Sequence, residues 1–320
     1  MAPKTLQEAI IYFSDEDRCR EFLANIRWPD GVACPRCGSL GVSWLEKQKR
    51  WQCRSRHTTR QFSIKTGSIF EDSPIPLTKW LPAIWLIASA KNGISSHELA
   101  RSLDLDQKSA WFVLHRARLA MQEGGFEPFR GEVEVDETFI GGKARNMHFW
   151  QRQERIKGKR GGAGKAAVMG VLERHGPDGH SRIKTEVVRN TRRSSLGPVV
   201  SETVAPGSTV YSDGKLSYNR LSDHFVHEAV NHDAEEYVRN AIHTNGAENY
   251  WSLLKRTISG TYVSVEPYHL FRYLDEQAYR FNHRRATDYE RFVGVLANVS
   301  GRRLRYDQLT GKAEAASSAS

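Results

Sequence analysis

Cysteine is scarce in this chain. Four occur in 320 residues, and three of them fall between positions 34 and 53. That distribution excludes the evenly spread framework of a disulfide-stapled secreted domain. Long apolar runs are missing as well. The longest, Leu81 to Ala90, is interrupted by Pro82 and Ser89, well short of the roughly 18 apolar residues a membrane-crossing helix needs. The opening Met-Ala-Pro-Lys-Thr-Leu-Gln-Glu carries no apolar core, so no secretory leader is expected. The glycine-rich run near 160 is not a phosphate-binding loop. Lys159 stands where the first glycine belongs, and Ala166 follows Lys165 where Ser or Thr is required. These absences point to a cytoplasmic protein without a membrane partner.

Positive charge is what the chain has in excess. Lys and Arg number 47 against 37 Asp and Glu, a net charge of +10. Such a balance favours a polyanionic partner, because Lys and Arg neutralise phosphates and release their counterions. Composition shifts suggest an N-terminal helical segment (1–30), a small metal-binding ribbon (31–70), a helical domain (71–125), an α/β domain (126–290) and a C-terminal extension (291–320) with a disordered tail.

The periodicity of Ile10, Phe13, Cys19 and Phe22 predicts one helix over 6–24, with Cys19 as a small buried hydrophobe. The pattern Cys34-x2-Cys37-x15-Cys53-x3-His57 follows. Two hairpins carrying three thiolates and an imidazole supply the tetrahedral donor set of one structural Zn²⁺. The partner knuckle departs from the commoner four-cysteine form at His57. Next, Thr78 can cap a helix to Lys91, with Pro82 tolerated in its first turn. A short helix spans 97–103, a turn 104–107, and a third helix 108–122. A short helix, a tight turn and a basic helix resemble a helix-turn-helix, in which Lys108, His115, Arg116 and Arg118 would face DNA. The competing reading is a plain helical bundle.

After Gly124-Gly125 the pattern changes to alternation. Strands are predicted at 131–140, 166–173, 182–188, 208–212 and 225–230. Helices are predicted near 196–204, 247–258 and 268–283. Residues 143–165 hold eight Lys/Arg against one acid and read as a basic loop that could clamp DNA through Lys157, Lys159 and Arg160. The order of elements is that of a ribonuclease H-like mixed sheet. In such a sheet the first and fourth strands lie side by side, bringing Asp136 and Asp213 within reach of shared metals. Glu248, at the start of a helix, is the third acid. Three carboxylates offer the hard oxygen ligands that Mg²⁺ or Mn²⁺ takes, and two such ions clamp a phosphodiester for in-line attack. Each acid has a plainer reading, as a turn former (Asp213) or a helix-dipole partner (Glu248). Glu134 and Glu137 compete with Asp136, but strand alternation puts Glu137 on the opposite face. Lys255 lies two helical turns beyond Glu248 and, with Arg256, is a candidate for DNA phosphate. Tyr250 and Trp251 read as packing residues, with stacking on a flipped base as the alternative.

The stretches Cys34-x2-Cys37, 62–77, Val135-Asp136-Glu-Thr-Phe-Ile-Gly-Gly, Tyr211-Ser-Asp213-Gly and Glu248-Asn-Tyr-Trp-Ser-Leu-Leu-Lys255-Arg resemble bacterial insertion-sequence transposases of the DDE class with an N-terminal zinc ribbon. The resemblance implies binding to double-stranded DNA at the element's terminal inverted repeats and at a target, phosphodiester cleavage and strand transfer by a 3′-hydroxyl. It also implies two Mg²⁺ (or Mn²⁺) ions per active site, a homo-oligomer holding two ends, and a bacterial cytoplasmic location at the nucleoid when bound to DNA. Family members place Asn or His at the third acidic position in some cases; here Glu248 keeps the carboxylate. Two other functions remain open: a DNA-binding regulator with an inert acidic site, and a metal-dependent nuclease without strand transfer.

Overall fold

The computed structural model describes residues 2–124, 127–142, 148–150, 164–213, 225–229 and 243–310. The chain divides into two compact units, Met1–Gln122 with Arg285–Ser320, and Glu123–Arg284.

The first unit begins with two helices where the sequence suggested one. α1 (Leu6–Tyr12) is closed by a capping box between Thr5 and Glu8. α2 (Glu16–Arg27) starts afresh at Asp15, whose carboxylate accepts the Arg18 N–H at 2.7 Å. An N-cap residue directly after Ser14 breaks the run although the apolar period continues across it. Cys19 is buried on α2, and burial pushes its thiol up to about 12. β1 (Val42–Leu45), β2 (Arg50–Cys53) and β3 (Gln61–Phe62) form an antiparallel three-stranded ribbon. Trp51 packs between Trp44, Trp28 and Phe62.

α3 (Leu77–Ser89) begins one residue before the expected cap, so Pro82 falls in its second turn rather than its first. No local side chain caps it. Instead the Glu16 carboxylate of α2 accepts the N–H groups of Leu77 and Thr78, both at 3.2 Å. α4 (Ser96–Leu103), capped by Ser95, and α5 (Gln107–Met121), capped by Asp106, follow. Asp104 turns the chain between them in a left-handed conformation. The C-terminal segment completes this unit. α9 (Asp288–Ala297) places Phe292 against Trp85, Phe13 and Phe22, and Ser300 bridges to Ser68. A short α10 spans Tyr306–Leu309.

The second unit is built on a five-stranded mixed sheet of order β6-β5-β4-β7-β8. The strands are β4 (Glu132–Ile140), β5 (Ala166–Glu173), β6 (Arg182–Val188), β7 (Thr209–Ser212) and β8 (Val226–Ala229). β4, β5 and β6 are antiparallel neighbours, whereas β7 runs parallel to both β4 and β8. α6 (Arg193–Thr203) covers one face; Val133 and Val135 pack there with Leu196 and Val200. α7 (Asn245–Thr257) and α8 (Leu270–Asn282) cover the other, where Val168, Leu172 and Ile183 meet Tyr250, Trp251 and Leu274. The antiparallel meander followed by parallel strands beside the first, with helices on both faces, is a ribonuclease H-like arrangement. Two apolar faces give the sheet a core on each side.

Candidate active site and metal centres

Strand alternation decides what β4 offers each layer. Val133 and Val135 point to α6, so Glu134 and Asp136 share the face under α7. β7 is shorter and ends at Ser212. Its register against β4 pairs Glu132 with Thr209, Val133 with Val210 and Glu134 with Tyr211. Carried two residues further, that register sets Asp213 beside Asp136, at the carboxyl end of the parallel pair. The two carboxylates, with that of Glu137, have oxygens within 4.8 Å of one another.

Glu137 is a correction to the alternation argument. Its backbone lies on the face opposite Asp136, yet its carboxylate joins the group. β4 runs on beyond the last residue paired with β7, and a side chain as long as Glu can turn over an edge left open in this way. Glu248, the third acid of the sequence pattern, stands apart from this group. It is exposed in the first turn of α7 and does not belong to the carboxylate group within 4.8 Å. One turn further along, Trp251 presses against the sheet instead, and its indole Nε1–H donates to Asp136 Oδ2 at 2.9 Å. Asp136 Oδ1 accepts the Glu137 N–H at 2.8 Å. Trp251 and Tyr250 are both buried, as packing residues should be, and so are not placed to stack on an extruded base. Lys255 and Arg256 are exposed at the C-terminal end of α7.

By sequence Glu134 competes with Asp136, and its contacts give it a different employment. Only 1% exposed, it accepts from Arg174 Nε at 2.8 Å and from the Ala247 N–H at 2.9 Å. Arg174 also donates to the His243 carbonyl at 2.6 Å. A Cβ at Gly246 would sit 2.9 Å from Glu134 Oε2, so a residue without a side chain lets the start of α7 approach this carboxylate. A buried anion with a guanidinium and a backbone donor is satisfied rather than reactive. It ties α7 to β4 two residues ahead of Asp136.

In the ribbon, Cys34, Cys37, Cys53 and His57 each offer a donor atom within 4.8 Å of the others. Cys34 Sγ lies 3.6 Å from His57 Nε2, and Cys37 Sγ lies 3.7 Å from Cys53 Sγ. Burial raises the Cys53 thiol, but His57, the Ser55 backbone and Cys37 outweigh it and bring the pKa down to about 6. Three sulfurs and one imidazole nitrogen at such spacing match a tetrahedral zinc donor set.

Three of the four residues expected to face DNA from α5 are buried instead. Arg116 is 4% and Arg118 1% exposed, and His115 is fully buried. The Arg116 guanidinium donates to the carbonyls of Leu304 (3.0 Å), Ile69 (2.9 Å) and Glu71 (2.8 Å). It is an internal strut, since a buried guanidinium needs several acceptors. Burial lowers its pKa. Lys108 stays exposed, its ammonium 5.0 Å from the Tyr306 ring centroid. The candidates Lys157, Lys159 and Arg160, with most of the basic run 143–165, lie outside the described residues.

Comparison with known proteins agrees with this geometry. Residues 128–282 match the family described as the ISXO2-like transposase domain, and residues 14–59 match the transposase zinc-ribbon domain. An uncharacterized protein in the transposable element ISH50 of Halobacterium salinarum is 28% identical over 256 residues, covering 77% of this chain and 84% of that protein. An uncharacterized transposase-like protein of Haemophilus influenzae is 33% identical over 102 residues, covering 32% of this chain and 81% of that one. A sheet with two aspartates at adjacent strand ends and a ribbon with four metal donors thus stand where these two domains match, and the chain belongs to the ISXO2-like insertion-sequence transposases with an N-terminal zinc ribbon.

Proposed function

We propose that this transposase binds the terminal inverted repeats of its element, cuts phosphodiester bonds there and joins the 3′ ends to target DNA with the help of two Mg²⁺ (or Mn²⁺) ions. The observation that carries the proposal is the convergence of the Asp136 and Asp213 carboxylates at neighbouring ends of two parallel strands. An all-oxygen, anionic donor set fits a hard divalent cation. Two such ions, when bound, would activate the attacking oxygen and neutralise the leaving one.

The chain's own residues supply the rest. Asp136, oriented by the Glu137 N–H and the Trp251 indole N–H, would be a ligand of the ions. Asp213 completes one side of the site. The third carboxylate is Glu137 by its position in the group and Glu248 by its place in the family pattern. Lys255 and Arg256, exposed on α7, would hold DNA phosphate. Lys255 stands about 10.5 Å along the helix from Glu248. Cys34, Cys37, Cys53 and His57 would hold one structural Zn²⁺. Lys108 and the run Lys157, Lys159, Arg160 would add contacts to DNA phosphates. Synapsis of two ends calls for a homo-oligomer.

The test is to incubate the purified chain with labelled end DNA, target DNA and Mg²⁺. Joined products support the transposase. Cuts without joining favour a nuclease, and a mobility shift without cutting favours a regulator. Asp136→Ala should lower joining by at least a thousandfold while end binding persists. Equal loss of both would assign Asp136 a structural role.

A further inference from the structure

We propose that Trp251 is a positioning residue for the metal site, aiming the Asp136 carboxylate through its indole N–H, and that Gly170 is the notch that makes this possible. The inference rests on the metal-binding reading of Asp136 given above.

Gly170 on β5 is the register partner of Asp136 on β4. A Cβ built there would lie 2.6 Å from Trp251 Cζ2 and 2.7 Å from Cη2. The six-membered edge of the indole therefore occupies the space that any other residue at 170 would fill. Seated in that gap, the ring turns its Nε1–H toward Asp136 Oδ2, 2.9 Å away. The other oxygen is held by the Glu137 N–H at 2.8 Å. A donor on each oxygen fixes the plane of the carboxylate and aims it toward the Asp213 and Glu137 carboxylates. The ring itself is enclosed. Trp251 is 4% exposed and packs edge-on against Tyr250, which in turn meets Phe281.

Packing alone would not require this chemistry. A phenylalanine could fill most of the same gap, but only tryptophan carries a donor on the rim of a ring this large. Donors to ligating groups orient them, and removing such a donor commonly costs about 10–100-fold in metal affinity.

The experiment measures Mn²⁺ binding to the zinc-loaded full chain by calorimetry, without DNA, beside the Mn²⁺ dependence of end cleavage. Trp251→Phe should weaken Mn²⁺ binding about 10–100-fold and move the cleavage midpoint to higher Mn²⁺ by the same factor, with cleavage recovering as the ion is raised. Gly170→Ala, which keeps the indole but evicts it from the notch, should do the same, and it carries the test if the first variant fails to fold. Asp136→Asn is the control for the underlying reading. If Asp136→Asn weakens Mn²⁺ binding while Trp251→Phe and Gly170→Ala leave it at the wild-type value, the positioning role is overturned and the metal site stands. If Asp136→Asn also binds Mn²⁺ like the wild type, both are overturned.

Discussion

At the scale of single residues, identity is a poor guide to employment in this chain. Four acids crowd the stretch Glu132 to Glu137, and each has a different task. Glu132 accepts from the Tyr211 hydroxyl at 2.8 Å. Glu134 is neutralised by Arg174, and Asp136 and Glu137 face Asp213. Strand periodicity separates odd from even positions, and it correctly places Glu134 with Asp136. It does not foretell that the Glu137 carboxylate joins this group. The competing third ligands make a clean prediction. If Glu137 is the working ligand, Glu137→Gln should lower metal-dependent cleavage by at least a hundredfold and Glu248→Gln by less than tenfold. The reverse ranking in a single-turnover cleavage assay would return the role to the family position. Arg116 and Arg118 teach a related lesson. Basic residues on a helix beside a turn suggest DNA, but the same guanidiniums can serve as internal donors to loop carbonyls, as Arg116 does for Leu304, Ile69 and Glu71. Their sequence carries no mark of that choice, because the acceptors are backbone atoms distant in the chain.

At the scale of elements, the strands were the most legible part. β5 and β6 fall where apolar runs and alternation put them, at Ala166–Glu173 and Arg182–Val188, since a strand with a buried face has little freedom to slide its pattern. Helix ends were less legible. The break between α1 and α2 was written in Asp15, a residue that caps from within a continuing apolar period. The start of α3 was not written locally at all, since its cap is Glu16, 61 positions away from Leu77. The same long-range logic ties α7 to the sheet. Glu134 and Arg174 hold the first turn of α7 through the Ala247 N–H and the His243 carbonyl. Arg174→Met should strand a buried carboxylate and destabilise the protein by about 3–5 kcal/mol, read as a fall in the denaturation midpoint. A loss below about 1 kcal/mol, the range of an exposed pair, would show that water already reaches the pair.

At the scale of the whole molecule, the chain carries two chemically different sets of candidate metal donors. The soft thiolate-imidazole group in the ribbon suits zinc, and the hard carboxylate group on the sheet suits magnesium or manganese. The two should respond to different reagents. A zinc-selective chelator should melt the ribbon spanning Val42–Phe62 and weaken end binding, because a domain this small depends on its ion for stability. Cleavage of short, pre-bound ends should fall only as far as binding does. Retention of ribbon structure in zinc-free protein, followed by amide exchange, would contradict a structural zinc. Among the described residues, no helix is long and apolar enough to cross a membrane.

Joint ligation of divalent cations by Asp136 and Asp213 can be read from anomalous diffraction of crystals grown with Mn²⁺. Manganese peaks are expected within ligand distance of both the Asp136 and Asp213 carboxylates, lost together in Asp136→Asn. Manganese bound away from these two side chains, or peaks that persist at full height in that variant, would contradict it.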